Sequence, residues 1–548
     1  MKFNTLEDKI AHARSLENPP EPLREDFFSL LKKGIGSDKT YLTYRDSEQN
    51  RTEVSYRQFY ECVINTARFY QSRGLEAGDK VATISHNHWH TVVQYFAAWF
   101  CGLVVVPVNL GEDDNRIAYI LKNAEVKLAL VRDEYSDRIQ KIIKKENLLS
   151  ELEVIVCDDS VESFSKKNGE LKEVQVGTES EALIVFTSGT TGNPKGVVLT
   201  QRNLLEDART ISQWHNIDGQ TKMMCILPIH HVNGTVVTMI TPFFVGGSTV
   251  LNQKFSPGHF FQIIEEEQVH VVSVVPTLLQ YLTSYYEGKE VPENNQFRHI
   301  ICGAGPLTVK VAQNFEEKFD IPIIHGYGLS ETTCYSCFIP ADQPKEEHKK
   351  WMRDFGYPSI GIPVPANEMD IQDEQGNSVP EGERGEIVIR GVNVMKGYFN
   401  NREANESAFK NGWFRSGDEG FIKKDEKGNP YYFITGRLKE LIIRGGINLA
   451  PLEIDEVINK APGVKAGIAV GFENDWYGEE VGAYVELKEG AEQNEAVILD
   501  YCREHLPFLK SPKVVVFGEE LPVTSTGKYQ RLKVAHLFEE WSNVQFRE

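Results

Sequence analysis

Thr187-Ser188-Gly189-Thr190-Thr191-Gly192-Asn193-Pro194-Lys195-Gly196 is the stretch from which the rest of this chain is interpreted. Just before it, Leu183-Ile184-Val185-Phe186 is a short apolar run of the length of a buried strand. The strand leads into a loop with three glycines and four hydroxyl side chains, and the loop ends on a lysine. Glycines let backbone N–H groups approach an anion, hydroxyls add donors, and lysine supplies a point charge. That is the chemistry of a polyphosphate cradle. An ordinary Gly/Ser/Thr turn leaving a strand shares the composition but not this order.

The common nucleotide loop needs a second glycine followed by Lys-Ser/Thr. Here Pro194 stands at the glycine position and Gly196 follows Lys195. The order Ser-Gly-Thr-Thr-Gly-x-Pro-Lys-Gly instead resembles the phosphate loop of adenylate-forming enzymes: acyl-CoA synthetases, luciferases and peptide-synthetase adenylation domains. Six further segments resemble that family in its own order, so the likeness covers nearly the whole chain. It is nearest to the fatty-acid type of acyl-CoA ligase.

Leu227-Pro228-Ile229-His230-His231-Val232-Asn233-Gly234 is similar to the family's acid-pocket segment, with His231 at the histidine position. His230 reads equally well as a satisfied core residue. Cys302-Gly303-Ala304-Gly305-Pro306-Leu307 resembles the adenine-pocket turn, where Gly303, Ala304 and Gly305 let a flat base lie against backbone. In His325-Gly326-Tyr327-Gly328-Leu329-Ser330-Glu331 the resemblance implies that Tyr327, beside Gly328, stacks on adenine. It also implies that Ser330 contacts the α-phosphate and Glu331 holds Mg²⁺. Magnesium prefers carboxylate and phosphate oxygens and keeps several waters, so one carboxylate suffices.

Gly412-Trp413-Phe414-Arg415-Ser416-Gly417-Asp418 is similar to the segment whose aspartate binds both ribose hydroxyls. A carboxylate suits a vicinal diol because it offers two acceptors. Arg437 takes the position of a second ribose or phosphate contact, and Lys439 that of the hinge. In CoA-using members the pair matching Gly445-Gly446 lines the tunnel for the pantetheine arm. Leu521-Pro522-Val523-Thr524-Ser525-Thr526-Gly527-Lys528 resembles the carboxy-terminal motif whose lysine spans carboxylate and α-phosphate.

The resemblance therefore implies catalytic roles for Thr187, Lys195, His231, Glu331 and Lys528. Ser188, Gly189, Thr190, Thr191 and Gly192 would hold the nucleotide phosphates. The implied substrates are ATP, a carboxylic acid and CoA, with Mg²⁺ as the metal. A separate acyl carrier protein is the alternative thiol donor, and a non-catalytic binding protein sits poorly with every chemical position filled. Pocket width depends on His230, Val232, Asn233, Gly234, Ile301 and Tyr335. The His-His pair points to a medium or long fatty acid, ahead of an aryl acid such as a cinnamate and then a small polar acid.

At 548 residues the chain exceeds one core. Helix and strand alternate from the capping box Ser55-Tyr56-Arg57-Gln58 through Val81–Ile84, Val104–Val108, Ile117–Leu121 and Leu128–Val131. A second alternating unit runs through Val269–Val275, Leu278–Tyr285 and Ile300–Cys302. Short strands and Gly turns mark Asp370–Arg390 as β-rich. The expected fold is α/β: two layered α/β subdomains and a β-rich one in residues 1–437, then a small mobile α+β domain in 438–548 hinged near Lys439. Within that last part the pattern predicts helices at Leu452–Asn459 and Ala496–His505, with strands between and after them. The stretch Pro340–Pro358, with Glu346-Glu347-His348 and Trp351-Met352, is longer than this connection usually is and is not assigned a role.

A formal charge of −20 and no basic stripe argue against nucleic acid as a partner. Eight scattered cysteines are not a disulfide framework and fit a reducing cytosol, hence a cytoplasmic protein. Cys334-x-x-Cys337 has no second pair to complete a zinc site, and reads as two small buried residues. His86-Asn87-His88-Trp89-His90 suggests a metal cluster but puts only His86 and His90 on one helical face; it reads as a loop entering a helix. The longest apolar run, Tyr95–Leu110, is too short for a span of about twenty residues. Peripheral membrane contact stays open, and the chain is expected as a monomer or homodimer.

Overall fold

Ser55 starts a helix as its spacing requires. Its Oγ accepts from the Gln58 N–H (3.2 Å), Gln58 Oε1 accepts from the Ser55 N–H (2.9 Å), and helix Tyr56–Ser72 follows. The buried face carries Phe59, Val63, Thr66 and Tyr70, the positions that period 3.6 selects. The computed structural model in which this is seen describes residues 3–146, 152–158, 171–172, 174–187, 194–290, 296–523 and 529–547.

Among those residues two large, mainly parallel sheets form the body. The seven-stranded sheet holds Val126–Arg132, Lys80–Ile84, Val104–Val108 and Glu181–Thr187 side by side and parallel, then turns antiparallel through Lys195–Thr200 to Gly397–Tyr398. The nine-stranded sheet runs parallel through Thr40–Arg45, Ser248–Asn252, Lys222–Cys225, Val271–Val274, His299–Cys302 and Ile323–Tyr327. An antiparallel four-stranded sheet, Asn367–Gln372 to Pro430–Arg437, is the β-rich part. The small carboxy-terminal sheet joins Val464–Asn474, Gly478–Leu487 and Val514–Phe517 under helices Pro451–Ile458 and Glu495–His505. The α/β layers, the β-rich unit and the small α+β unit thus all appear.

The apolar run from Tyr95 divides into helix Trp89–Phe100 and strand Val104–Val108, with Gly102 at φ +71° between them. No helix among the described residues is long and apolar enough to cross a membrane. His88 is the helix N-cap: its Nδ1 accepts from the His90 N–H at 3.2 Å. Burial, then Arg132, pushes the His88 pKa down to about 2. Cys334 and Cys337 are buried free thiols.

The unassigned stretch contains helix Lys345–Arg353. Trp351 lies flat on Tyr431 with centroids 3.7 Å apart, and His348 pairs with Glu316 at 2.6 Å. The helix therefore clamps strand Pro430–Arg437 to helix Val309–Phe319. It is a brace.

One buried carboxyl in this body titrates abnormally. Asp207 in helix Gln201–Trp214 accepts from Asn393 Nδ2 (3.0 Å), and burial pushes its pKa up to about 8. A folded pKa above the unfolded one means stability is complete below the unfolded value and is lost as pH rises through the folded value. Wild type therefore loses up to ~1.4 kcal/mol per pH unit through this group. That loss falls between about pH 4 and about pH 8. The melting temperature of Asp207→Asn should gain on wild type steadily across that window. A constant difference across the window would show that Asp207 is not protonated in the folded protein.

Candidate active site

The strands Lys222–Cys225, Val271–Val274, His299–Cys302 and Ile323–Tyr327 end on one edge of the nine-stranded sheet. The segments that carry chemistry leave from those ends: Leu227–Gly234, Gly303–Leu307 and Gly328–Thr333. The crevice outside the carboxyl ends of parallel strands is where open α/β sheets take ligands. Two other sheets point their own residues at the same place.

From the seven-stranded sheet comes the hairpin whose last pair is Thr187 opposite Lys195. Ser188, Gly189, Thr190, Thr191 and Gly192 lie outside the described residues. Strand Gly397–Tyr398 pairs with Val197 and Val198 and so lays Tyr398 beside the hairpin. Lys195 Nζ is 5.0 Å from the Tyr398 ring centre, and the Tyr398 hydroxyl donates to Glu331 Oε1 at 2.9 Å. Burial, then the Glu331 carboxylate, raises the pKa of that hydroxyl, which stays a donor. Lysine, phenol and carboxylate thus stand in a row. A single carboxylate beside a lysine fits a Mg²⁺ that would share its other ligands with phosphate and water. No group of three or more His, Cys, Asp or Glu that could hold a metal by itself occurs among the described residues.

From the antiparallel sheet come Asp418 and Arg437, directly opposite in register. Asp418 Oδ1 lies 2.8 Å from Arg437 Nε, and Oδ2 accepts from the Tyr327 hydroxyl at 2.5 Å. A carboxylate whose side chain is 1% exposed needs such a partner, and Asp418 in turn raises the Arg437 pKa. Tyr327, Asp418 and Arg437 form one connected group. Ser330 opens the single 3-10 turn Ser330–Thr332 that carries Glu331.

The backbone here is strained. Ala304 has φ +62°, and Thr333 has φ +64° and ψ −60°, with the Cys334 N–H donating to the Thr332 carbonyl at 2.7 Å. That is the rare form of the γ-turn, costly for a β-branched residue. The Thr333 hydroxyl donates to the Asn393 carbonyl at 2.6 Å and holds the turn. Strain kept in this way clusters at functional sites.

On the acid side, His231 is half-buried and its N–H donates to the Pro228 carbonyl at 3.2 Å. His230 packs against it, ring centres 4.4 Å apart, and burial drives the His230 pKa far down. Beyond them Asn233 opens a π-helix, Asn233–Ile240, a rare element that is frequent at functional sites.

Lys439 is exposed in the short turn Leu438–Glu440, between the antiparallel sheet and the small carboxy-terminal sheet. Gly445 and Gly446 link strands Ile442–Arg444 and Ile447–Leu449 with φ +58° and +81°. A two-residue hairpin turn with positive φ at both positions requires glycine or asparagine-like residues. The pair thus has a local reason besides the tunnel that the resemblance implies. A Cβ on either would meet nothing within 4 Å. Lys528 lies outside the described residues; Val523 and Tyr529, on either side of its segment, form a bridge. Val523 also borders a cavity of about 460 Å³ next to His230, Lys254 and Leu278.

The model of the AMP-binding enzyme family matches residues 35–399, and that of its C-terminal domain matches residues 453–528. The chain belongs to the AMP-binding enzymes. This AMP-binding enzyme is 34% identical over 502 residues to a sulfoacetate–CoA ligase of Cupriavidus necator, covering 91% of this chain and 94% of that one. It is 27% identical over 542 residues to a long-chain-fatty-acid–CoA ligase of Bacillus subtilis, covering 92% of each. ATP-bound MatB from Rhodopseudomonas palustris superposes with a TM-score of 0.83 at 27% identity, covering 94% of this chain and 99% of that one.

Two features of the enzyme escaped sequence reasoning. Tyr398 follows Met395-Lys396-Gly397, and only the pairing of its strand with Lys195–Thr200 and its bond to Glu331 reveal what it serves. Ser273 sits inside an apolar strand, where a single hydroxyl should have stood out.

Proposed function

We propose that this AMP-binding enzyme is an ATP-dependent acid:CoA ligase. The acid's carboxylate oxygen attacks the α-phosphorus of ATP, the bond to the β-phosphate oxygen breaks, and pyrophosphate leaves. The CoA sulfur then attacks the acyl carbonyl, the bond to AMP breaks, and the thiol proton passes to solvent. One observation carries the reading: three sheets converge to put Asp418–Arg437–Tyr327 and Lys195–Tyr398–Glu331 around one crevice.

In this reading Asp418 takes the ribose hydroxyls, and Arg437 offsets the cost of burying it. Lys195 and the hydroxyl loop hold the β- and γ-phosphates, work that is chiefly electrostatic. Mg²⁺, on Glu331 and phosphate oxygens, would supply the rest of the charge compensation. Residues 438–548 would swing about Lys439 between the two steps and keep water from the acyl-AMP. Acid-dependent exchange of pyrophosphate into ATP tests the first step. AMP release with CoA, compared with a panel of carrier proteins, tests the acceptor, and the CoA-ligase names of the relatives support CoA.

Asp418→Ala should weaken ATP binding about 10- to 100-fold, the scale of hydrogen bonds to a charged group. The loss should shrink for 2′,3′-dideoxy-ATP. Equal losses for both nucleotides, measured by calorimetry, would assign Asp418 a different role.

Support for the acid is divided. The His230–His231 pair and the fatty-acid relative favour a medium or long chain. The more similar relative, named for sulfoacetate, favours a small polar acid.

A further inference from the structure

Gly303 and Gly326 stand at the carboxyl ends of neighbouring parallel strands, on the edge where the acid must meet ATP. Glycines there would leave a lane into the body of the sheet. Tyr335 occupies it. A Cβ on Gly303 would lie 2.6 Å from the Tyr335 hydroxyl; one on Gly326 would meet the Phe338 ring first and lie 2.9 Å from Tyr335 Cδ1. The ring is backed by Phe338, centroids 4.4 Å apart.

The hydroxyl is held in a polar chain. Ser273 Oγ donates to Asn233 Oδ1 at 2.7 Å, and Asn233 Nδ2 donates to the Tyr335 oxygen at 3.1 Å. These three side chains belong to residues 0%, 6% and 2% exposed. Their backbone is fixed too: the Tyr335 carbonyl accepts from Asn393 Nδ2 at 3.1 Å, two residues after the strained Thr333 turn. The Tyr335 oxygen accepts from Asn233 and interacts with Ser273, and burial raises the Tyr335 pKa so that it stays a protonated phenol.

We propose that Tyr335, Asn233 and Ser273 form a polar end wall of the acid pocket, which selects a compact carboxylic acid carrying a second hydrogen-bonding group over a fatty acyl chain. The proposal rests on the acid:CoA ligase reading. A methyl-ended chain pressed against this wall would strand buried polar groups, and the lane it would need is already filled. Sites built to hydrogen-bond a substrate discriminate strongly against an analogue lacking the group. A lane lined with leucine and valine would show no such preference.

The test uses the full-length enzyme in acid-dependent ATP–pyrophosphate exchange. The panel is short acids ending in carboxylate, sulfonate or hydroxyl, each beside its methyl-ended counterpart, with octanoate and 4-hydroxycinnamate added. At least one polar-ended acid should exceed its counterpart and octanoate by about 100-fold in kcat/KM. Tyr335→Phe removes only the hydroxyl and should erase most of that ratio by lowering activity on the polar acid. Tyr335→Val opens the lane and should raise kcat/KM for octanoate. Octanoate accepted by wild type as well as any polar acid overturns the wall, as does a ratio unchanged in Tyr335→Phe. Those results leave the ligase reading standing. No exchange with any acid overturns the ligase reading, and the wall with it.

Discussion

Lys528→Ala should lower acyl-AMP formation by about three orders of magnitude, the scale of losing a preorganised electrostatic stabiliser. The first step asks two anions, a carboxylate and a triphosphate, to approach within bonding distance. In the proposed mechanism Lys195 serves the far phosphates, and Arg437 is already engaged by Asp418 at 2.8 Å. Lys528 supplies the charge at the reacting atoms in that mechanism. Thioester formation from supplied acyl-AMP should survive in the variant, because that step expels AMP without bringing two anions together. Measuring both half-reactions separates the roles: equal loss in a protein that melts like wild type would remove Lys528 from the first step.

Gly446→Trp should have the opposite signature. Pyrophosphate exchange should continue near the wild-type rate while transfer to CoA falls about 100-fold, the cost of misplacing a reactant by an ångström or so. The open space around Gly446 leaves room for the indole in the hairpin itself. Backbone conformation is the confounder, since φ is +81° there. Asparagine tolerates the left-handed region better than other side chains, so Gly446→Asn supplies the control. Normal CoA turnover in Gly446→Trp would end the tunnel assignment. Loss of both steps in Gly446→Asn would make the turn purely structural.

The fold was legible where local rules act alone. The Ser55–Gln58 box, the face carrying Phe59, Val63, Thr66 and Tyr70, and the strand Val514–Phe517 follow from capping and periodicity. The π-helix at Asn233–Ile240 was not, because its register comes from packing and not from any repeat in Asn-Gly-Thr-Val-Val-Thr-Met-Ile. The Pro340–Pro358 brace was illegible for a related reason: its meaning lies in Tyr431 and Glu316, far away in the chain. At the site, contiguous segments announced Asp418, Glu331 and Lys195. Tyr398 and the Ser273–Asn233–Tyr335 chain depend on neighbours from different strands, which one sequence does not pair.

Arg444 ends the strand before Gly445, and its Nε is 2.7 Å from Glu480 Oε1, both side chains at most 4% exposed. Its guanidinium also lies 4.0 Å over the Tyr477 ring. The glycine turn is therefore riveted to the sheet of the small domain and has no play of its own. In the proposed mechanism, reaching a bound acyl-AMP would mean taking that whole unit with it, like the tip of a lever pivoting at Leu438–Glu440. Solvent friction on the entire lever would then enter the tempo of thiol transfer, with no counterpart in the strain of a two-residue loop.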